Sequence, residues 1–257
     1  MFQRISFIFA TLFFTGACAA PLEIHPGEDG RPEIRVVRLK WSNVHIIAGK
    51  EGPVLVDAGS PVDEDFTALR LALKDMGKRP SDIQLIILTH GHGDHAGGAR
   101  RLRRESGAPI MMGAGDTGMA AAGKNKPLKT MSLMARMLKP FVDFPYPKFQ
   151  PDVLIAPGKS AELTRYGLEG RVVSTPGHTD GSLVVVLPGG DAFVGDMVLG
   201  GYMGGGLLPA SPGRHYFHDD APRAENHLRE LLRNGTKRFY PGHGGPITAR
   251  AMRKWLN

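Results

Sequence analysis

Cysteine is almost missing from this chain: Cys18 is the only one in 257 residues. It falls within the opening stretch MFQRISFIFATLFFTGACAA, which carries one positive charge at Arg4, an apolar run from Ile5 to Phe14, and small residues before Pro21. That order reads as a secretory signal peptide over residues 1–20, closed by the A-x-A pattern Ala17-Cys18-Ala19, with an apolar run too short to span a bilayer. An uncleaved N-terminal anchor and a lipoprotein signal acylated at Cys18 are alternative readings. Thr15, where lipoprotein signals usually carry an aliphatic side chain, argues against the second. Cleavage leaves no thiol, which excludes disulfides and cysteine nucleophiles. The expectation is an exported protein, periplasmic or secreted, with no stable membrane insertion after cleavage.

Concentrated charge is the second absence. The net charge is +7, but the basic residues are scattered, and the one short cluster, ARRLRR at Ala99 to Arg104, reads as the solvated face of a helix. No nucleic-acid partner is expected. Low-complexity tracts are missing as well: the 34 Gly and 20 Pro are spread out, and 42% hydrophobic with 22% charged residues is a globular composition. A single α/β domain over residues 21–257 is the simplest organisation, and no internal repeat argues for duplication. Oligomeric state is not encoded in any readable feature.

What is present alternates between strand and helix signals. EIRVVRLKWSNVHIIAG reads as a hairpin around Ser42-Asn43, and a second apolar run, Val54 to Val56, ends in Asp57-Ala58-Gly59. VDEDFTALRLALKDMG is an amphipathic helix with acidic residues in its first turn and a closing Gly77. IQLIILTH, from Ile83, is a continuous apolar run of the kind buried on both faces of a sheet. The pattern breaks over residues 111–151, where Met111, Met112, Met119, Met131, Met134 and Met137 precede PFVDFPYPKFQP. This Met-rich insertion suits a lid or substrate wall, and equally suits methionines filling gaps in a core. Strand signals resume in RVVSTPGH, SLVVVL and AFVGD, and a helix follows around Ala221 to Asn234.

The chemistry gathers at strand ends. LTHGHGDHAGG, after the Ile83 run, places His90, His92, Asp94 and His95 among glycines. Imidazole and carboxylate are ligands for zinc and its neighbours, and in open α/β sheets ligands collect beyond the carboxyl ends of strands. If alternate residues point the same way, His90 and His92 could serve one ion while Asp94 and His95 turn toward a second. His178 in STPGHTDGS, Asp196 in FVGDM and His243 in YPGHGG each follow a β-like run.

This set resembles the metallo-β-lactamase superfamily: the H-x-H-x-D-H signature matches His90, His92, Asp94 and His95, and the later ligands match His178, Asp196 and His243. The resemblance runs over nearly all of the chain after the signal segment. It implies a four-layer αβ/βα sandwich with the site along one edge of two facing sheets. It also implies that His90, His92 and His178 hold a first ion, that Asp94, His95 and His243 hold a second, and that Asp196 bridges them. Zinc is the first expectation for the two divalent ions, with iron and manganese compatible with the same donors. Asp57 resembles a position that orients a ligand histidine by accepting its other N–H; capping of the following helix is its plainer role.

Two close cations can share a water and lower its pKa from about 16 towards 7. The expected reaction is attack of that bridging hydroxide on an ester, thioester or lactam carbonyl of a small molecule, with Asp94 as the catalytic carboxylate that orients the nucleophile and moves a proton. Zinc β-lactamases carry Cys or Ser where this chain has Asp196, which counts against antibiotic hydrolysis. The bridging Asp matches the glyoxalase II, N-acyl homoserine lactonase and RNase Z branches, and export weakens the first and third. A lactone or ester, acylated so as to use the Met-rich wall, is the leading substrate class, with Tyr202 as a candidate donor to the carbonyl oxygen. A zinc β-lactamase, a thioester hydrolase and, from another class, a mononuclear iron sulfur dioxygenase are the alternatives.

Overall fold

The computed structural model describes residues 22–28 and 30–257. The expected signal segment, with Cys18, lies outside them. Among the described residues no helix is long and apolar enough to cross a membrane.

The first half of the chain builds one seven-stranded sheet in chain order. β1 (Leu22–His25), β2 (Ile34–Arg38), β3 (Asn43–Ala48) and β4 (Pro53–Val56) form an antiparallel meander, with Arg38 facing Asn43 across the expected hairpin. Helix α1 (Asp63–Asp75) then carries the chain to β5 (Leu85–Ile87), which lies parallel to β4. The short turn α2 (Gly93–Ala96) and α3 (Ala99–Ser106) lead to β6 (Ile110–Gly113), and α4 (Thr117–Ala122) and α5 (Leu133–Val142) lead to β7 (Val153–Ile155), both strands parallel to their predecessors. β6 corrects one expectation: Met111 and Met112 are buried members of the sheet, so the insertion starts only after Gly113. The run from Ile83 is strand only over Leu85–Ile87.

The second half forms a six-stranded sheet from β8 (Ser160–Glu162), β9 (Arg171–Ser174), β10 (Leu183–Leu187), β11 (Asp191–Gly195) and two later strands. β12 (Leu199–Tyr202) and β13 (Leu207–Gly213) leave it as a separate hairpin. Helix α6 (Ala221–Arg233) returns the chain to β14 (Arg238–Pro241), parallel to β11; β15 (Ile247–Thr248) and α7 (Ala249–Leu256) complete the fold.

Period-2 alternation explains the layering. In the first sheet Val37, Ile46, Leu55, Ile86 and Met112 pack under α1 and α3 with Phe66, Leu69, Leu73 and Leu102, while Val36, Ile47, Val54, Val56, Leu85, Ile87 and Met111 face the other way. The latter meet Val172, Leu183, Val185, Phe193 and Tyr240 of the second sheet. That sheet's far face, with Val184, Ala192, Val194 and Phe239, packs on Leu228 of α6 and Met252 of α7. Helices, sheet, sheet, helices: this is the expected αβ/βα sandwich, and the strand ends of both sheets open on one edge.

Candidate metal centre

β4 and β5 end side by side, and Asp57 locks the two ends together. Its backbone takes φ 68°, a left-handed conformation. One oxygen accepts from the Thr89 N–H at 2.7 Å, the Thr89 hydroxyl lies 2.9 Å from both oxygens, and Oδ2 lies 2.9 Å from His95 Nδ1. A fully buried carboxylate thus orients the ring that the next turn presents.

Beyond Thr89 the chain needs its glycines. A Cβ on Gly91 would meet Met119 Cε at 2.7 Å, and one on Gly242 would collide with Asp196 Oδ1 and the His95 ring. The glycine before His243 is what lets that strand end approach the histidine loop. Asp116 joins two loops: it accepts from the N–H of Gly91 and of Gly181, both at 2.9 Å, and from the Thr179 hydroxyl at 2.7 Å. The Gly93 N–H donates to Asn125 Oδ1 at 2.9 Å.

The seven residues named from the sequence converge. The ligand atoms of His90, His92 and His178 lie within 4.8 Å of one another, as do those of Asp94, His95, Asp196 and His243. Asp196 Oδ2 is the hub, with the Nε2 atoms of His243, His95, His90 and His178 at 3.3, 3.4, 3.7 and 3.7 Å. His178 Nε2 lies 3.0 Å from His92 Nδ1, and His95 Nε2 lies 3.4 Å from His243 Nε2. Imidazole nitrogens at that range repel through their lone pairs unless a proton or a cation lies between them. Buried His90 Nε2 and Asp196 Oδ1 have no hydrogen-bond partner among the described residues, and such orphaned donors and acceptors are costly in a protein interior. The donor set fits divalent cations.

The proton affinities divide the cluster. Burial pushes the pKa of His90 and His178 well below the usual histidine range and that of His92 to about 4. For His95 burial acts in the same sense, but Asp196, Asp94 and Asp57 outweigh it and raise the pKa well above normal; His243 rises to about 9 beside Asp196 and Asp94. Burial disfavours charge on Asp94 and Asp196, yet the facing histidines hold both carboxyls well below the carboxylate range.

Several residues of the site were not singled out from sequence. His215 Nε2 lies 3.2 Å from Asp196 Oδ2, and with His178 and Asp196 forms a third group of convergent donors. His218 is buried with its ring 5.3 Å from that of His178. The only signal for them was the histidine pair in RHYFHDD. Asp116 had no signal beyond its flanking glycines. Tyr202, the expected donor to a carbonyl oxygen, does not line the site. It is 59% exposed, three positions along β12 from the cavity-lining Leu199 and therefore on the opposite face of that strand.

Above the donors lies a cavity of about 240 Å³. Its floor is His92, Asp94, Asp196, His215 and His243; its walls include Trp41, Leu128, Leu138, Val142, Phe144, Leu199 and Phe217, with Tyr216 also lining it.

The model of the metallo-beta-lactamase superfamily matches residues 41–243, from Trp41 at the cavity wall to His243. The chain belongs to that superfamily. Similar proteins include the beta-lactamase-like protein 2 homolog of Drosophila melanogaster, 28% identical over 81% of this chain and 60% of that protein. The probable metallo-hydrolase YqjP of Bacillus subtilis is 26% identical over 80% of this chain and 68% of its own length. A hydroxyacylglutathione hydrolase of Cereibacter sphaeroides is 32% identical over 53% of this chain and 41% of its own. The chain therefore spans only about 60% of the fly relative. Among solved structures, a metallo-beta-lactamase family protein of Thermus thermophilus superposes with TM-score 0.60 at 21% identity, covering 93% of this chain and 78% of that one. The Cronobacter sakazakii metallo-beta-lactamase carrying a substituted HARLDQ motif superposes with TM-score 0.57 at 23% identity, covering 82% and 77%. These likenesses establish the superfamily fold.

Proposed function

We propose that this protein is an exported, dinuclear metal-dependent hydrolase that cleaves the carbonyl bond of an ester or lactone bearing an apolar group. The observation that carries the reading is Asp196 Oδ2, within 3.7 Å of imidazole nitrogens of both donor groups, beneath a cavity walled by aromatic and aliphatic side chains.

In this reading His90, His92 and His178 would hold one ion, Asp94, His95 and His243 would hold the other, and Asp196 would serve both. Bound divalent ions supply an acidified water and an electrophilic contact for a carbonyl oxygen. The chain's own residues do the rest. His95 is kept in place by Asp57. Asp94, on the cavity floor and held as a carboxylate by His95 and His243, presents Oδ2 to those two histidines, so that its other oxygen, Oδ1, would orient the attacking water and take its proton for delivery to the leaving group. Trp41, Leu138, Val142 and Phe144 exclude bulk water and receive the apolar part of the substrate.

A panel of acyl lactones, aryl esters, glutathione thioesters and a chromogenic β-lactam tests this. Lactones or esters with longer apolar chains are expected to give the highest kcat/KM, and dominance of the β-lactam would overturn the ranking. The match to a hydroxyacylglutathione hydrolase favours thioesters as the second reading, and dominance of that substrate would establish it instead. Iron content with thiol-dependent oxygen uptake would replace hydrolysis by oxygenation. Asp94→Asn is expected to retain most metal and lose about 10²–10³ in kcat; unchanged turnover would remove Asp94 from its role.

A further inference from the structure

The cavity wall has an outer side that the described chain leaves uncovered. α5 turns Ala135, Leu138 and Val142 inward, against Leu128 and Phe217. At 100° per residue its opposite face carries Leu133, Met134, Met137 and Phe141. All four are exposed, Leu133 to 72% and Phe141 to 68%. Opposite α5 at the mouth, Met203 at the turn of the β12–β13 hairpin is 83% exposed, and Leu207 and Leu208 beside it are exposed too. Leu138 and Val142 of the helix and Met203 and Gly204 of the hairpin line the same cavity, so the apolar surface flanks the entrance from both sides. Exposed apolar patches of this kind mark interaction sites.

Charge says what kind of partner fits. Between Asp116 and Asp143 the chain has no acidic residue and five basic ones: Lys124, Lys126, Lys129, Arg136 and Lys139. Among the described residues, Lys126 pairs with Asp180 and Asp219, whereas Lys124, Arg136 and Lys139 form no ion pair. Arg136 sits on α5 beside the apolar stripe, and residues 197–213 carry no charge at all. A second copy of this surface would bring basic groups against basic groups. An anionic amphiphilic surface would receive the apolar side chains and the unpaired cations together, the arrangement of interfacial helices.

We propose that α5 and the β12–β13 hairpin dock this protein peripherally on an anionic lipid bilayer, with the cavity mouth turned toward the lipid. The docking does not rest on the reaction proposed above, and it can fail or stand while hydrolysis does the opposite.

The test is flotation of the metal-loaded protein over residues 21–257, without the expected signal segment, with vesicles of phosphatidylcholine alone or mixed with phosphatidylglycerol. Binding to the mixed vesicles is expected to exceed binding to the neutral ones by about tenfold or more and to fall with added salt. The double variant Met137→Glu/Phe141→Glu changes only side chains outside the cavity lining, and is expected to lose vesicle binding while keeping metal content and turnover of a water-soluble ester. Hydrogen exchange supplies an independent readout: amides of residues 131–142 and 202–208 should slow on adding mixed vesicles. Equal binding by the double variant, equal binding to neutral vesicles, or the same protection appearing without lipid as protein concentration rises would each overturn the proposal.

Discussion

The histidines of both halves of the donor cluster are buried, yet the two halves behave in opposite ways. In the group of His90, His92 and His178, burial dominates, the imidazoles are neutral, and their pKa values fall. In the group of Asp94, His95, Asp196 and His243, two carboxylates reverse the outcome and the histidines bind protons more tightly than free imidazole does. Depth alone therefore does not set the state of a buried histidine; the sign of its nearest neighbours does. The neutral half is ready for a cation as it stands. The charged half satisfies itself with protons until a cation displaces them.

The sharpest way to break this contrast is to remove the oxygen that both halves share. Asp196→Ala is expected to drop bound metal from two ions per chain to one or none and to cut turnover by about 10³-fold, roughly 4 kcal/mol in barrier. Metal analysis alongside kinetics reads both effects, and retention of two tightly held ions would remove Asp196 from its shared position. A smaller effect separates the halves. Asp57→Asn disturbs His95, while Asp116→Asn loosens the tie between the Gly91 loop and the loop carrying His178. Each is expected to weaken one ion by about 10–100-fold. In competition with a chromogenic chelator, Asp57→Asn should release the ion of the carboxylate half first and Asp116→Asn the other; the same ion leaving first from both variants would refute the division.

At neutral pH the smallest effect is expected at a buried histidine outside both groups, whose contribution shows only on acidification. His45 lies between the sheets with its ring 5.1 Å from that of Phe193, and burial lowers its pKa to about 3. A folded pKa below the unfolded value of about 6.5 means that this contribution is complete above pH 6.5 and is lost as pH falls toward 3. His45→Leu should therefore flatten the acid limb of stability by about 1.4 kcal/mol per pH unit within that window, relative to wild type under the same metal-free conditions. Identical acid limbs in chemical denaturation would show that His45 is protonated in the folded protein.

Much of this was readable in the sequence because continuous apolar runs carried it. VVR, HIIA and LIIL mark strands buried on both faces of a sheet, and the glycine-flanked donors stand where such strands stop. Other features depend on contacts that no local pattern encodes. His215 and His218 lie on an irregular segment held by Phe217, whose place is set by packing on Leu128 and Ala135 and by a bridge to Thr130. Asp116 acts through backbone N–H groups of residues far along the chain. Tyr202 was named for its distance along the chain from Asp196, but which face of β12 it occupies depends on how the strand is placed, and it lies outside the cavity lining. The methionines divided for the same reason: in β6 they are core, and on α5 they face outward.

The donors come from both sheets, His90 to His95 from the end of β5 and His178, Asp196 and His243 from the ends of β9, β11 and β14. Ions held there would fasten one half of the molecule to the other like a clasp at the open edge of a book. Since a ligand that binds only the folded state stabilises it by RT ln(1 + [L]/Kd), resistance to unfolding becomes a function of metal supply. Scarcity of metal would then shorten the protein's lifetime as well as silence it.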